Sequence, residues 1–204
     1  MSLISVQDLT FYYEGSDDLI FDQVSFQIDT DWRLGFIGRN GRGKTTFLNL
    51  LLGKYEYRGT ISSGEVFDYF PYPVKDRHRD TIDIIEETDP SYELWKVCRE
   101  LNLMEMDCDA LYRPFSTLSN GEQTKVLLAV LFAKDHHFLL IDEPTNHLDM
   151  ESRKKLMEYL NQKKGFILVS HDRDFLDGCI DHVLSINKSS ITITKGNFST
   201  WWEE

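Results

Sequence analysis

The stretch RLGFIGRNGRGKTTFLNLLLG at residues 33–53 decides the fold that we expect for this chain. Residues 38–45 match the pattern GxxxxGK[ST], which a random chain of this length and composition contains in roughly one case in two hundred. Apolar residues before the loop predict a strand that enters it, and the apolar run at 47–52 predicts a helix that leaves it and ends at Gly53. This strand–loop–helix context favours a phosphate-binding loop over a plain glycine turn with a solvated lysine.

The chemistry of such a loop follows from its residue types. Glycines allow backbone N–H groups to surround phosphate oxygens, and the N-terminus of the following helix adds positive potential. Lys44 would neutralise the β- and γ-phosphates of a nucleotide, and the hydroxyl of Thr45 would hold Mg²⁺. The candidate nucleotide-binding residues of the loop are Gly38, Arg39, Asn40, Gly41, Arg42, Gly43, Lys44, Thr45 and Thr46.

The rest of the chain predicts an α/β fold around this loop. A wholly apolar strand at 138–141, a helix at 150–162 and an apolar strand at 166–169 alternate as in a parallel sheet covered by helices. β-branched and aromatic residues near the start predict an antiparallel layer with strands at 3–8, 24–28 and 33–37. Residues 74–120 form a small helical lobe in this prediction, and residues 1–204 form one domain.

Two acidic side chains follow the first apolar strand directly. Asp142 and Glu143 stand at the carboxyl end of a buried strand, where ligands of parallel sheets gather. Asp142 is suited to ordering a Mg²⁺-bound water, and Glu143 is suited to polarising the water that attacks a γ-phosphate. Taken alone, the pair fits solvated acids at a strand exit equally well, and the phosphate loop favours the catalytic interpretation.

The sequence LSNGEQ at 118–123 predicts the start of a helix. Ser119 with Glu122 three residues later is a capping box, which is a complete structural explanation for both residues. A capped helix whose first turn contains Gly121 also presents N–H groups that can bind a phosphate on a partner. Both interpretations can hold together.

Five motifs in this order resemble those of an ABC-type ATPase domain: the GxxxxGKT loop, LSNGEQ, LLIDEP at 139–144, NHLD at 146–149 and SHD at 170–172. The sequences EPTNHLD, SHDRDFLD and KGNFSTWW are similar to the ABC-F branch, and the loop together with GEQTKVLLA is similar to its antibiotic-resistance members. The resemblance covers nearly the whole chain. It implies a P-loop NTPase core with an antiparallel β lobe and a small helical lobe, ATPase activity, and ATP and Mg²⁺ as cofactors.

The resemblance also implies roles for single residues. The phosphate loop would bind phosphates and magnesium, Asp142 would support the metal, and Glu143 would be the catalytic carboxylate. His171 would sense the γ-phosphate, whereas without the other motifs it is simply a surface histidine after a strand. Tyr13 falls where the family stacks an aromatic ring on adenine, and packing within its own strand explains it nearly as well. Asp149 would touch a partner domain, or else cap helix 150–162.

The same resemblance implies partners. ABC-F proteins carry two such domains on one chain, and many act on ribosomes. We therefore expect the N-terminal half of a longer cytoplasmic protein that pairs with a second ABC domain, on the same chain or as a homodimer, and reaches the ribosome through other regions. Ser119, Gly121 and Glu122 would contact the nucleotide of the partner domain, so an isolated domain would hydrolyse ATP slowly. The alternatives are an ATP-binding subunit of a membrane ABC transporter and a binding module that needs little hydrolysis.

Composition limits these classes. The 204 residues include 34 acidic and 22 basic side chains, a net charge of −12, so we expect no direct DNA binding and no coating of nucleic acid by charge. The longest apolar run, at 126–133, is far shorter than the about 20 residues that span a bilayer, so we expect no transmembrane segment. Cys98, Cys108 and Cys179 include no CxxC pair, which predicts reduced thiols without a disulfide or a zinc site.

Two positions depart from the family pattern. Tyr72 stands where the family places a glutamine, and a tyrosine cannot offer an amide oxygen to Mg²⁺. Asn120 stands where the signature motif usually has glycine, which crowds the turn. Trp201 and Trp202 at the end of the chain are expected to anchor it on the core.

Overall fold

The computed structural model describes residues 2–38, 42–187 and 190–203 and confirms the predicted α/β fold. The strands form two sheets. The smaller, antiparallel sheet has the order β2 (Leu19–Asp29), β1 (Leu3–Tyr12) and β4 (Arg58–Ser62). The larger sheet has the order β5 (Val66–Phe70), β6 (His137–Asp142), β7 (Phe166–Val169), β3 (Arg33–Gly38), β8 (His182–Asn187) and β9 (Ser190–Lys195). Its first five strands are parallel, and β9 is antiparallel to β8.

The helices predicted after the phosphate loop, in the helical lobe, at the capping box and at 150–162 are present, with differences at their ends, and the structure adds α6 and α7. They are α1 (Arg42–Leu51), α2 (Thr81–Thr88), α3 (Leu94–Leu103), α4 (Asn120–Phe132), α5 (Met150–Leu160), α6 (Arg173–Cys179) and α7 (Phe198–Glu203). Two 3₁₀ turns, Cys108–Tyr112 and Phe115–Thr117, precede α4. The predicted strands at 3–8 and 24–28 are too short, because β1 and β2 continue through register shifts to a hairpin. The strand predicted at 33–37 is present as β3, but its place in the antiparallel layer is wrong, because β3 pairs in parallel with β7 and β8.

Both faces of the large sheet are buried, which explains its wholly apolar strands. On one face, Leu140 and Ile167 belong to a core formed with α1 and the antiparallel sheet. On the other face, Leu139, Ile141 and Leu168 pack into a second core with α4, α5 and α6. Successive residues of one strand thus alternate between two cores.

A buried ionic cluster joins the helical segment before α4 to the sheet-covering helices. Glu100 of α3 has no exposed side-chain surface and accepts hydrogen bonds from the hydroxyl of Tyr159 in α5 (2.5 Å) and from Nζ of Lys163 (2.7 Å). Burial raises the pKa of Tyr159, so its hydroxyl stays protonated as a donor. Since an unpaired charge at this depth is costly, the cluster strongly disfavours separation of α3 from α5.

The prediction of reduced thiols is wrong for two cysteines. Cys98 of α3 and Cys108 form a disulfide with their Cα atoms 5.3 Å apart. After α3 ends at Leu103, the chain reverses and enters a 3₁₀ turn at Cys108, which brings the two side chains together. Sequence spacing alone does not reveal this reversal. Cys179 is a free, buried thiol, and burial raises its pKa to about 12.

The C-terminal segment agrees in part with its prediction. Trp201 packs against the core on the helix-covered face, as expected, whereas the side chain of Trp202 lies outside the described residues. Among the helices that the structure describes, none is long and apolar enough to cross a membrane.

The disulfide is tested by counting thiols. In denaturant without reductant we expect only Cys179 to react with an alkylating reagent, and after reduction all three cysteines, as measured by intact mass. The pair Cys98→Ser and Cys108→Ser should lower the free energy of unfolding in urea by about 2–3 kcal/mol, because a ten-residue loop is released. Cys179→Ser is the control that should leave the disulfide count unchanged. Three reactive thiols in the unreduced, denatured chain would contradict the assignment.

Candidate functional site

The start of the phosphate loop, the carboxylate pair and His171 lie at one edge of the large sheet, where its parallel strands end. β6, β7 and β3 are neighbours in that order, and paired strands lie about 4.8 Å apart. β6 ends at Asp142, β7 leads into Ser170 and His171, and β3 ends at Gly38, the first residue of the phosphate loop. The loop, the carboxylate pair and His171 therefore share the edge at which parallel sheets bind ligands.

Part of the phosphate loop lies outside the described residues. The predictions for Arg39, Asn40 and Gly41 fall there, and so does the side chain of Arg42. Helix α1 begins at Arg42, so the backbone that follows presents a helix N-terminus toward the loop, as the sequence predicts.

The first turn of α1 contains the remaining loop residues. A Cβ placed on Gly38 would lie 3.9 Å from Cε of Lys44, so the lysine side chain folds back over the start of the loop. Thr45 is exposed at this turn, whereas Thr46 is fully buried. Lys44 and Thr45 thus reach the sheet edge, while Thr46 belongs to the interior.

Tyr13 lies next to this turn and has two sets of contacts. Its hydroxyl is 2.5 Å from Oγ1 of Thr46. Its ring packs edge-on against Phe11 and Tyr55, at centroid distances of 5.0 and 5.7 Å. The packing alternative from the sequence is therefore observed, and stacking on adenine stays a prediction. Tyr55 is an exposed aromatic ring beside the partly exposed Tyr13, and no sequence motif marks it.

Asp142 is held from the neighbouring strand. The hydroxyl of Tyr69 in β5 donates a hydrogen bond of 2.6 Å to its Oδ2 atom, and its Oδ1 atom has no partner among the described residues. Burial, followed by the bond to Asp142 and the charge of that carboxylate, raises the pKa of Tyr69, so the phenol remains the donor.

Glu143 and His171 are in direct contact. Oε1 of Glu143 accepts a hydrogen bond from the backbone N–H of His171 at 2.9 Å and lies 3.3 Å from its Nε2 atom. The His171 side chain is 91% exposed, so the contact holds Glu143 without enclosing the imidazole. Glu143 also has a φ of +47°, in the left-handed region, which costs energy for a residue with a Cβ. Strain at a predicted catalytic carboxylate is typical of functional sites.

The predicted capping box at the start of α4 is confirmed. Oγ of Ser119 accepts from the backbone N–H of Glu122, and the Glu122 carboxylate accepts from the backbone N–H of Ser119. This backbone bond, together with the charge of Arg113, lowers the pKa of Glu122, so it stays ionised near neutral pH. Asp149 likewise caps α5 by accepting from the backbone N–H of Ser152 at 2.7 Å.

Gly121 has a packing role that the sequence did not reveal. It is buried in the first turn of α4, against the first turn of α5. A Cβ at this position would lie 2.6 Å from Oγ and 3.0 Å from Cβ of Ser152. The close approach of the two helices therefore favours glycine here, because any side chain would require the Ser152 hydroxyl to rotate and α5 to shift.

Comparison with known proteins agrees with this geometry. A family model described as "ABC transporter" matches residues 21–146, which is more than half of the chain. The chain belongs to this family. The match identifies the chain as an ABC-type ATPase domain.

Relatives extend the similarity of this ABC domain over the whole chain. ABC transporter F family members 2 and 3 of Arabidopsis thaliana are 28% and 31% identical over 100% and 96% of the chain. ATP-binding cassette sub-family F member 3 of Rattus norvegicus is 27% identical over 98%. These relatives agree with the ABC-F resemblance of the motifs. The chain spans only 31%, 28% and 29% of their respective lengths.

A solved structure shows the same fold at lower sequence identity. A metal-chelate type ABC transporter in an inward-facing conformation matches with a TM-score of 0.76 and 22% identity. The match covers 95% of this chain and 83% of that one. The likeness supports the fold of the ABC domain and carries no argument about cargo.

A groove of about 600 Å³ opens between the sheet edge and α4 of the ABC domain. Asp142 and Glu143 line one side, and the first turns of α4 line the other. Arg77 borders the groove, donates to Oε1 of Gln123 at 3.1 Å and lies over the ring of Phe115. Nothing in the sequence marked Arg77, because its position depends on how the loop after β5 folds onto α4.

The donor set suits a magnesium ion. Mg²⁺ prefers hard oxygen ligands and keeps several waters, so one or two protein oxygens are enough. Oδ1 of Asp142 and the exposed hydroxyl of Thr45 are oxygens of this kind at the sheet edge. Tyr72, in contrast, donates its hydroxyl to the carbonyl of Leu127 in α4 at 2.8 Å. The hydroxyl of the residue at the expected glutamine position is therefore bound to α4.

The packing role of Gly121 is testable by stability. Gly121→Ala should lower the free energy of unfolding in urea by about 1–3 kcal/mol, because Ser152 cannot move away without shifting α5. Gly64→Ala is the matched control, since a Cβ there meets nothing within 4 Å. Equal stabilities of the two variants would contradict the close approach of α4 and α5.

Proposed function

We propose that this ABC domain binds MgATP at the sheet edge, hydrolyses it in a pair with a second ABC domain, and thereby controls binding of an ABC-F type protein to the ribosome. The contact between Glu143 and His171 carries the proposal. It places a carboxylate and an imidazole beside the end of β3, where the phosphate loop begins.

Nucleotide binding is assigned to the loop and its neighbours. Lys44, folded back over Gly38, neutralises phosphate charge, and the N-terminus of α1 supplies backbone N–H groups. Tyr13 offers a partly exposed ring beside the first turn of α1 for stacking on adenine. Arg39, Asn40, Gly41 and Arg42 remain assigned to the phosphates on their motif alone.

Hydrolysis is assigned to Glu143 and His171. The Glu143 carboxylate polarises a water that attacks the γ-phosphorus as the bond to the bridging oxygen breaks, leaving ADP and phosphate. Because His171 N–H holds Oε1, the other carboxylate oxygen is the one that faces the water. The exposed imidazole of His171 is assigned to sensing the γ-phosphate. Thr45 and Asp142 would hold Mg²⁺, which neutralises developing charge on the phosphate oxygens.

The second ABC domain completes the site. Ser119, Gly121 and Glu122 lie at the N-terminus of α4, whose unpaired N–H groups and positive dipole end suit a phosphate bound to the partner. The partner is a second domain of the full-length protein or another copy of this chain.

The ribosome is proposed as the target because the relatives are F family members. The net charge of −12 argues that contacts with RNA come from regions outside this domain, including any linker to the second domain. The proposal has two forms, in which the full-length protein is either a translation factor or an antibiotic-resistance protein.

Nucleotide binding is tested on the isolated domain. Lys44→Ala should weaken binding of a fluorescent ATP analogue at least about tenfold, because a charge-assisted contact with phosphate is lost. The control is Lys75→Ala, which removes a lysine side chain that is 84% exposed. Hydrolysis by the isolated domain should be slow and should rise with protein concentration. Turnover above about 1 s⁻¹ that is independent of concentration would contradict the shared site.

Ribosome binding is tested by co-sedimentation of the full-length protein. Glu143→Gln, together with the matching change in the second domain, should trap the ATP-bound pair and give pelleting that depends on ATP and is lost with ADP. Lys44→Ala in the same background is the control. Pelleting no greater than this control would overturn the ribosomal part of the proposal and leave ATP binding untouched. Positive pelleting leads to growth assays with antibiotics, which separate the two forms.

A further inference from the structure

Tyr69 occupies a position from which it can control the geometry of Asp142. In the parallel pair of β5 and β6, Tyr69 lies opposite Leu140. Side chains two residues apart on a strand share a face, so Asp142 lies on the same face as Leu140, one step further along. The tyrosine ring spans this step and its hydroxyl reaches Oδ2 of Asp142 at 2.6 Å.

This hydrogen bond decides which carboxylate oxygen is available. The terminal torsion of an aspartate is broad, so a carboxylate without a second anchor rotates easily. A bond from a phenol to a carboxylate is charge-assisted and stronger than a neutral one. With Oδ2 held by Tyr69, Oδ1 is the oxygen without a partner among the described residues, and it is the one that can face a cation.

The tyrosine ring is itself held in place. It packs against the core that contains Leu140 and α1, and the ammonium group of Lys54 lies 5.9 Å from its centroid. Packing of the ring on this core limits the positions of its hydroxyl, so the ring can orient the carboxylate that it contacts.

The second tyrosine of this segment points elsewhere. Tyr72 is three residues later, and its hydroxyl donates to the carbonyl of Leu127 in α4. Of the two phenols, only that of Tyr69 contacts the carboxylate pair. The segment thus offers a functional tyrosine and a structural one that can be compared directly.

We propose that Tyr69 is a positioning residue that orients Asp142 for Mg²⁺ in the MgATP site. The inference rests on the proposed function. A hydrogen bond between β5 and β6 would then set the orientation of the Asp142 carboxylate toward Mg²⁺. In this chain Tyr72 offers no amide oxygen to the metal.

The test compares Tyr69→Phe with Tyr72→Phe, since each change removes one hydroxyl and keeps the ring. Binding of a fluorescent ATP analogue is titrated with MgCl₂, and again in EDTA. In Tyr69→Phe the Mg²⁺ concentration for half-maximal enhancement of binding should rise about tenfold or more, as is usual when a partner of a metal-binding carboxylate is lost. Binding in EDTA should stay within about twofold of wild type, because the phosphate contacts of the loop remain.

Tyr72→Phe should leave the Mg²⁺ dependence unchanged, although its loss of stability in urea should be similar. Asp142→Asn shows how far the Mg²⁺ dependence shifts when the carboxylate itself is lost. Adding Tyr69→Phe to Asp142→Asn should shift it little further, because the two residues act through one contact. An unchanged Mg²⁺ dependence in Tyr69→Phe, or an equal shift in Tyr72→Phe, would overturn the inference. Failure of the wild-type domain to bind the nucleotide at all would instead overturn the proposed function.

Discussion

The site depends on the backbone hydrogen bonds at the carboxyl ends of β6 and β7. Asp142 pairs with Val169 in the parallel ladder, and the backbone N–H of Glu143 donates to the carbonyl of Val169 at 2.8 Å. This bond keeps Glu143 at the sheet edge after regular pairing has ended. It also fixes the distance to the loop after β7, so that the N–H of His171 can bind the Glu143 carboxylate. The left-handed backbone of Glu143 persists because these two bonds leave it no relaxed alternative.

The sequence predicted those parts of the molecule that follow from local chemistry. The capping box of Ser119 and Glu122 lies within one helical turn, and the buried strands around residues 138–141 and 166–169 are recognisable because both faces of the sheet are covered. The carboxylate pair and His171 came together as expected, because carboxyl ends of parallel strands share one edge. Each of these predictions needed only a motif and a rule about sheets.

The features that the sequence missed all depend on which elements become neighbours. The hydroxyl of Tyr69 reaches Asp142 only because β5 pairs with β6, although about 70 residues separate the two strands. The disulfide of Cys98 and Cys108 depends on a chain reversal after α3, and the close packing of Gly121 depends on the crossing of α4 and α5. In each case the residue types are compatible with several partners, and only the tertiary fold selects one.

The end of β5 connects the metal-binding edge with the helix that would meet a partner domain. Tyr69 contacts Asp142, and Tyr72, one short turn later, contacts Leu127 of α4. The same helix begins at the capping box and Gly121, and Glu100, Tyr159 and Lys163 hold the neighbouring α3 on α5. A shift of α4 relative to the sheet must therefore either break the bond of Tyr72 or move the segment that carries Tyr69. Because Tyr72 follows Tyr69 by only three residues, the position of α4 and the orientation of the Asp142 carboxylate are linked through this one segment.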